Sequence, residues 1–184
     1  MEAHTKADVV RRWVEKLVVG LNLCPFAGRE LTQDRVRFVV SEATTEVQLL
    51  EALEAELLVL NDDDSVETTL LIHSEVLQDF FDYNQFLDTA DRLLVEMELE
   101  GVYQIASFHP AYQFADTAAD DAENYTNRSP YPLLHILREA SLEKSIDAYP
   151  DVEEIPARNI ERMNSLGREK LELLMRGCIE GGET

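Results

Sequence analysis

Basic residues are scarce in this chain. Sixteen Lys and Arg face 37 Asp and Glu across 184 residues, a formal net charge of −21. That imbalance argues against an unassisted grip on nucleic acid or on an anionic membrane, because both demand neutralised phosphate. A small ligand or a basic partner is what such a surface admits. Cysteine is nearly absent: Cys24 and Cys178 stand far apart with no metal-type spacing, which suits a reducing compartment better than a disulfide framework. The glycines build no phosphate loop and no Gly-x-Ser-x-Gly elbow. No apolar run reaches the ~20 residues of a membrane span. The start, Met1 to Cys24, mixes Glu2, Lys6, Asp8, Arg11, Arg12, Glu15 and Lys16 into its apolar pattern, unlike a signal peptide. Together these absences point to the cytoplasm.

Apolar material is ample, at 45% of the residues. The whole chain, 1–184, is expected to make one domain that buries about 70% of its unfolded surface and needs no metal or disulfide to fold. Thr5 followed by Asp8 reads as a capping box, with Val10, Trp13, Leu17 and Leu21 on one helical stripe. Pro25 must end that helix near Leu23. Arg35 to Val40 reads as a strand, and Thr45 with Gln48 caps a helix whose stripe is Leu50, Leu53, Leu57 and Leu60. The acidic run Asn61 to Asp64 reads as a solvated turn, since it lacks the spacing of a calcium loop. Thr68 to Ile72 is a second strand, ended by His73. Phe80, Tyr83, Leu87, Ala90, Leu94 and Met97 then mark a long helix, with Gly101 placed to stop it. Tyr103 to Phe108 is a third strand, ended by His109 and Pro110. A helix from about Pro130 to Asp147, a break at Pro150 to Pro156 and a last helix with Ile160, Met163, Leu171 and Leu174 inward complete the reading. Gly181 to Thr184 should fray.

Connections of about 26 and about 30 residues between successive strands are long enough for crossover helices, so the three strands are expected to be parallel neighbours. The fold class is α/β: a small, mainly parallel three-stranded sheet flanked by helices, with a helical carboxyl half. Open sheets of this kind bind ligands beyond the carboxyl ends of their strands, here Ser41, His73 and His109. Two histidines should therefore share one rim. Each ring could instead simply cap its strand against the adjoining loop.

Three stretches escape acid altogether: Lys16 to Arg29, Gly101 to Ala115 and Asn124 to Arg138. A shuffled chain of this composition would still hold roughly one or two such runs, so their existence decides little. The third is the densest in chemistry. Ser129 before Pro130 reads as an N-cap with proline at the first helical position, leaving a helix amino end free of acid beside Arg128. Tyr131, His135 and Arg138 fall on one helical stripe. Arg128 and Arg138 are candidates to clamp an anionic substrate, with Tyr112, Asn127, His73 and His135 orienting it and His109 as general acid/base. A structural hydrogen bond serves His135 equally well. Cys24 is the one thiol with the context of a nucleophile, although the carboxyl end of a helix works against its thiolate. A metal site would need His73, His109 and His135 to converge with Glu139 or Asp116, and no His-x-x-x-His or Cys-x-x-Cys pair supports it.

Leu21-Asn22-Leu23-Cys24-Pro25-Phe26-Ala27, Ser107-Phe108-His109-Pro110 with Tyr112 and Phe114, and Asn127-Arg128-Ser129-Pro130-Tyr131-Pro132 with His135, Leu137, Arg138 and Glu139 resemble the signature segments of a bacterial family catalogued as domain of unknown function 1415. The resemblance runs through almost the whole chain and implies kinship without a reaction. The expectation is therefore an enzyme or binder of a small anionic metabolite at the carboxyl rim of the sheet. The alternatives are a noncatalytic acidic interaction protein and a His/Glu metal-site enzyme. The sequence names no cofactor, substrate or oligomeric state.

Overall fold

Thr5 opens the computed structural model, which describes residues 5–181; of the frayed end expected at Gly181 to Thr184, residues 182–184 lie outside them. The Thr5 hydroxyl accepts the Asp8 amide at 3.2 Å and the Asp8 carboxylate accepts the Thr5 amide at 3.1 Å, the reciprocal pairing of a capping box. Helix α1 (Lys6–Trp13) follows and buries Val9, Val10 and Trp13. It widens into a π-helical stretch, Val14–Val19. A side chain at the next residue, Gly20, would press into the Lys16 carbonyl, so the widened turn needs glycine there. A short helix α2 (Ala27–Thr32), unmarked by any stripe, leads to strand β1 (Val36–Val40).

Helix α3 (Glu46–Asp62) starts at Thr45, whose hydroxyl accepts the Gln48 amide at 3.3 Å. The Gln48 side chain accepts the amide of Thr44 rather than of Thr45, so the cap is staggered by one residue. Strand β2 (Thr68–Ile72) is buried throughout. Helix α4 (Phe80–Glu96) is capped by Asp79, which accepts the Phe81 and Asp82 amides. It ends before Gly101, because Glu98 already takes the left-handed conformation, with φ 59°; Gly101, φ 75°, turns the chain into strand β3 (Tyr103–Phe108) instead.

The sequence expectation fails next. Leu133–Arg138 is strand β4, and only Glu139–Ala148 is helical, as α5. Ser129 caps nothing; its hydroxyl donates to the Tyr131 carbonyl at 2.6 Å. The expected last helix is two, α6 (Ile155–Leu166) and α7 (Arg168–Glu180), broken at Gly167 with φ 78°. Met163 and Leu171 are buried as expected, whereas Ile160 is exposed.

The sheet is therefore mixed and four-stranded, in the order β1-β2-β4-β3. Strand β1 pairs parallel to β2, whereas β4 pairs antiparallel to both β2 and β3. The three strands read from sequence do run the same way, but β4 is inserted between the second and third. Their carboxyl ends still share one edge. Strands β2 and β4 bury both faces: Leu71, Leu134 and Ile136 meet Leu49, Leu53, Leu57 and Leu60 of α3 and Tyr83, Phe86 and Ala90 of α4. Leu70, Ile72 and Leu133 meet Val10, Trp13 and Leu17 from the other side, with Cys178 of α7. A smaller cluster of Leu23, Tyr125, Met163 and Leu171 ties α6 and α7 to the turn after the π-helical stretch.

Candidate functional site

At the carboxyl edge of the sheet, β2 and β3 each run directly into a histidine. His73 is fully buried; its amide donates to the Pro132 carbonyl at 3.0 Å, and its Nδ1 lies 3.0 Å from the Val76 carbonyl. A carbonyl only accepts, so the proton sits on Nδ1 and Nε2 presents a lone pair. That Nε2 is buried with no hydrogen-bond partner. Burial above all, and then the neighbouring His109, press its pKa from 6.5 to about 4, so the ring is neutral at ordinary pH.

His109 is as deeply buried and differs in one respect: both its nitrogens are engaged. Nε2 lies 3.1 Å from the Leu77 carbonyl and therefore carries the proton, while Nδ1 accepts the Ala111 amide at 3.0 Å. Burial also lowers its pKa. An acid/base role for His109 would thus have to break a bond already made. Tyr83 stands between the rings, centroids 5.7 Å from His73 and 5.0 Å from His109. Its hydroxyl donates to the Leu133 carbonyl and accepts the Phe108 amide, and burial raises its pKa. The two histidines hold consecutive carbonyls of one turn. In that turn Leu77 adopts φ 58°, a left-handed conformation that costs a branched residue about 1–2 kcal/mol.

Around this pair, Phe80 packs on His109 and on Tyr112, and Tyr112 packs on Phe114. Asn127 ties the next loop to β3, its Nδ2 donating to the Ser107 carbonyl at 3.0 Å and its own carbonyl accepting the His109 amide. Arg128 lies over the Tyr125 ring and donates to the Tyr112 carbonyl at 3.0 Å and the Ala119 carbonyl at 2.7 Å. His73, His109, Tyr112, Asn127 and Arg128 are thus linked around one edge.

Arg138 and His135 stand apart from this edge. Arg138 ends β4 at the opposite edge of the sheet, with the six residues of the strand spanning about 17 Å. Its guanidinium donates to the carbonyls of Leu60 at 2.6 Å, Val66 at 2.8 Å and Asp63 at 3.1 Å and to the Tyr103 hydroxyl at 3.3 Å. The expected two-arginine clamp therefore does not assemble, because a strand stands where a helix start was expected. His135 lies within β4, opposite Leu70 and Ala106. The Thr68 hydroxyl donates to the Ile136 carbonyl at 2.5 Å and so accepts from His135 Nε2 at 2.8 Å; burial lowers the pKa of His135 to about 4. Cys24 is half-buried and free, and Cys178 is buried and free, its pKa raised by burial. Among the described residues no three His, Cys, Asp or Glu gather where they could hold a metal ion, and no helix is long and apolar enough to cross a membrane.

Two open clefts lie away from this rim. One, of about 320 Å³, runs between the turn at Leu21 and Asn22 and helix α6, where Arg158, Asn159, Glu161, Arg162 and Ser165 line it. The other, of about 360 Å³, lies beside α7 and includes Tyr125, Glu172 and Arg176. Sequence reasoning passed over the first because only the apolar stripe of the last helix was read. Its signal was two arginines four residues apart in a chain poor in base.

A family model described as protein of unknown function (DUF1415) matches residues 5–173. No curated protein and no solved structure matches.

Proposed function

The chain belongs to the DUF1415 family, and on that footing we propose that it is a cytoplasmic binder of a small anionic molecule at the carboxyl rim of the sheet. Arg128 supplies the charge and His73 the polar contact. The observation that carries this reading is the lone pair on His73 Nε2, buried without a partner. An unpaired buried acceptor costs about 1–3 kcal/mol, and this one stands beyond a strand end, where open α/β sheets take their ligands. A hydroxyl or N–H of the ligand would satisfy it. Proton transfer to the same nitrogen is the chemistry the site could add, so the acid/base role passes from His109 to His73. Arg128 spends two of its five N–H groups on carbonyls and keeps the rest for an anion. The turn at Leu77 covers the pair, and entry requires it to move.

The test is a thermal-shift screen against metabolite anions, repeated on His73→Asn. Asparagine keeps a donor for the Val76 carbonyl and deletes the Nε2 acceptor. A hit ligand that stabilises the parent and leaves His73→Asn unshifted supports the site. Equal shifts in both proteins would sink it.

A second reading, noncatalytic, draws on the same contacts: both rings pin the strained turn through the Val76 and Leu77 carbonyls. On that reading, no metabolite anion shifts the parent, and His73→Asn changes stability alone.

A further inference from the structure

The cleft between Asn22 and α6 carries an arrangement that the rim reading leaves unused. Arg158 and Arg162 are one helical turn apart on α6, so their side chains are neighbours on one helix face. Like charges at that spacing repel, and a chain with 37 acids has ample means to neutralise them. It does not. The Arg162 guanidinium has no hydrogen bond or ion pair among the described residues, and Arg158 meets only a neutral partner, the Tyr149 hydroxyl at 3.0 Å, with its guanidinium over the Tyr149 ring. Glu161 lines the same cleft and pairs with neither.

The positions of these groups are also built. Tyr149 holds Arg158 by both hydroxyl and ring face, and Phe26 braces Tyr149 edge-on at 5.6 Å. Asn159 is buried between the two arginines in sequence; its Nδ2 donates to the Leu23 carbonyl at 2.9 Å and so fixes the opposite wall to α6. Next to that carbonyl Asn22 adopts φ 53°, the left-handed conformation that asparagine tolerates better than most residues. The cleft thus has one wall anchored by Asn159, one arginine held by Tyr149 and a second left open to whatever enters.

We propose that this cleft is an oxyanion site for a small phosphate-bearing molecule, gripped by Arg158 and Arg162 together. Two guanidinium forks one turn apart suit a tetrahedral dianion, to which each can donate in pairs. A volume of about 320 Å³ falls at the small end of ligand pockets and limits the occupant to a small molecule. The Glu161 carboxylate in the same cleft accepts hydrogen bonds only, so the far end of the ligand should carry hydroxyl or ammonium groups. This inference is independent of the rim: it uses none of the same residues.

The probe is inorganic phosphate, titrated at constant ionic strength against chloride and followed by amide resonances of the whole chain. Saturable shifts confined to residues around Asn22 and along Asn159 to Ser165 are expected, with the resonances around His73 unmoved. Arg162→Gln and Arg158→Gln should each weaken phosphate at least tenfold, and Arg162→Lys should recover only part of the affinity, since an ammonium supplies the charge without the fork. Both glutamine variants change exposed side chains and should fold as the parent does, which their unmoved distant resonances verify. Shifts that chloride reproduces, shifts that never saturate, or unchanged affinity in Arg162→Gln would overturn the proposal. A titration that moves the His73 resonances and leaves the cleft untouched would overturn it too while supporting the rim.

Discussion

Arginine is treated in opposite ways at the sheet and on α6. At the far edge of the sheet, Arg138 reaches three carbonyls and a phenol from α3, the α3–β2 connection and β3. On β1, Arg37 meets buried Glu56 through two hydrogen bonds, at 2.8 and 3.2 Å. On α6, in the same acidic chain, Arg158 and Arg162 pair with no acid among the described residues. The contrast separates stability from function by means of unused hydrogen-bonding capacity. A guanidinium with most of its donors spent is holding elements together, and one left bare in a cleft is free to meet a ligand. The two rim histidines divide in the same way at closer range: His109 has both ring nitrogens bonded, and His73 keeps Nε2 buried and open.

The largest effect expected from this contrast is at Arg138. Replacement by Met keeps most of the stem and strands the carbonyls of Leu60, Asp63 and Val66, where charge-assisted hydrogen bonds contribute about 1.5–3 kcal/mol each when measured singly. Because they share one side chain they do not add, and urea unfolding of Arg138→Met should show a loss of about 3–5 kcal/mol. A loss under 1 kcal/mol would mean that water replaces the guanidinium at that corner and would erase the contrast.

Acid should come next. His73 and His135 titrate near 4 in the fold against 6.5 in their ordinary state. Between those values the unfolded chain binds protons that the folded chain refuses, so stability falls as pH drops from about 6.5 to about 4 and this contribution levels off below. Each group contributes at most about 3 kcal/mol across that window. Urea midpoints measured from pH 7 to 4.5, in the parent and in a protein carrying His73→Asn and His135→Asn, isolate the histidine part from the carboxylates. Identical slopes in the two proteins would show that neither ring is kept neutral by the fold.

Much of the fold, though not this division, was legible in the sequence, and what was not has a physical reason. The stripes of α3 and α4 emerged because one face of each helix meets the sheet and the other meets water. The shared edge of His73 and His109 emerged because crossover length sets strand direction even when another strand intervenes. Strand β4 did not emerge. Leu133-Leu134-His135-Ile136-Leu137 is apolar on both faces because β4 lies in the middle of the sheet, so it shows no alternation, and leucine is a good helix former. Ser129-Pro130 then imitated a helix start. Pro132 directly before the run was the contrary sign, since a second proline fits an extended approach better than a first helical turn. That one misreading displaced Arg138 from a structural corner to an imagined clamp. The rupture of the last helix was written in Gly167, whose φ of 78° a side chain would resist. The α6 cleft was hidden for a different reason: it depends on which groups lack partners, and only coordinates show that.

A smaller effect is expected at the Arg37–Glu56 pair. Arg37 is 42% exposed while Glu56 is 9% exposed, and its charged form is favoured first by the hydrogen bond to Glu56. Removing the arginine leaves a mostly buried carboxylate, whereas Glu56→Gln leaves an arginine that water can reach. The asymmetry predicts a loss of about 2 kcal/mol for Arg37→Met and about 1 kcal/mol for Glu56→Gln. Equal losses would indicate that Glu56 reaches solvent more readily than its burial suggests.

The smallest effect is the most discriminating. Arg162→Met removes a charge that no group in the described structure uses, and it relieves repulsion from Arg158 at the i,i+4 spacing, which is worth about 0.2–0.5 kcal/mol. Methionine is as good a helix former as arginine, so propensity neither adds nor subtracts. The substitution should therefore leave stability unchanged or raise it by a few tenths of a kcal/mol, and adding salt should shrink the gain because it screens the repulsion in the parent. A loss of more than 1 kcal/mol would mean that Arg162 packs its stem against the cleft wall or finds a carboxylate in solution, and the line drawn between the two groups of arginines would then fail where it is sharpest. If stability rises and phosphate binding falls in the same variant, the charge is retained at a cost to the fold, as expected of a residue kept for its ligand.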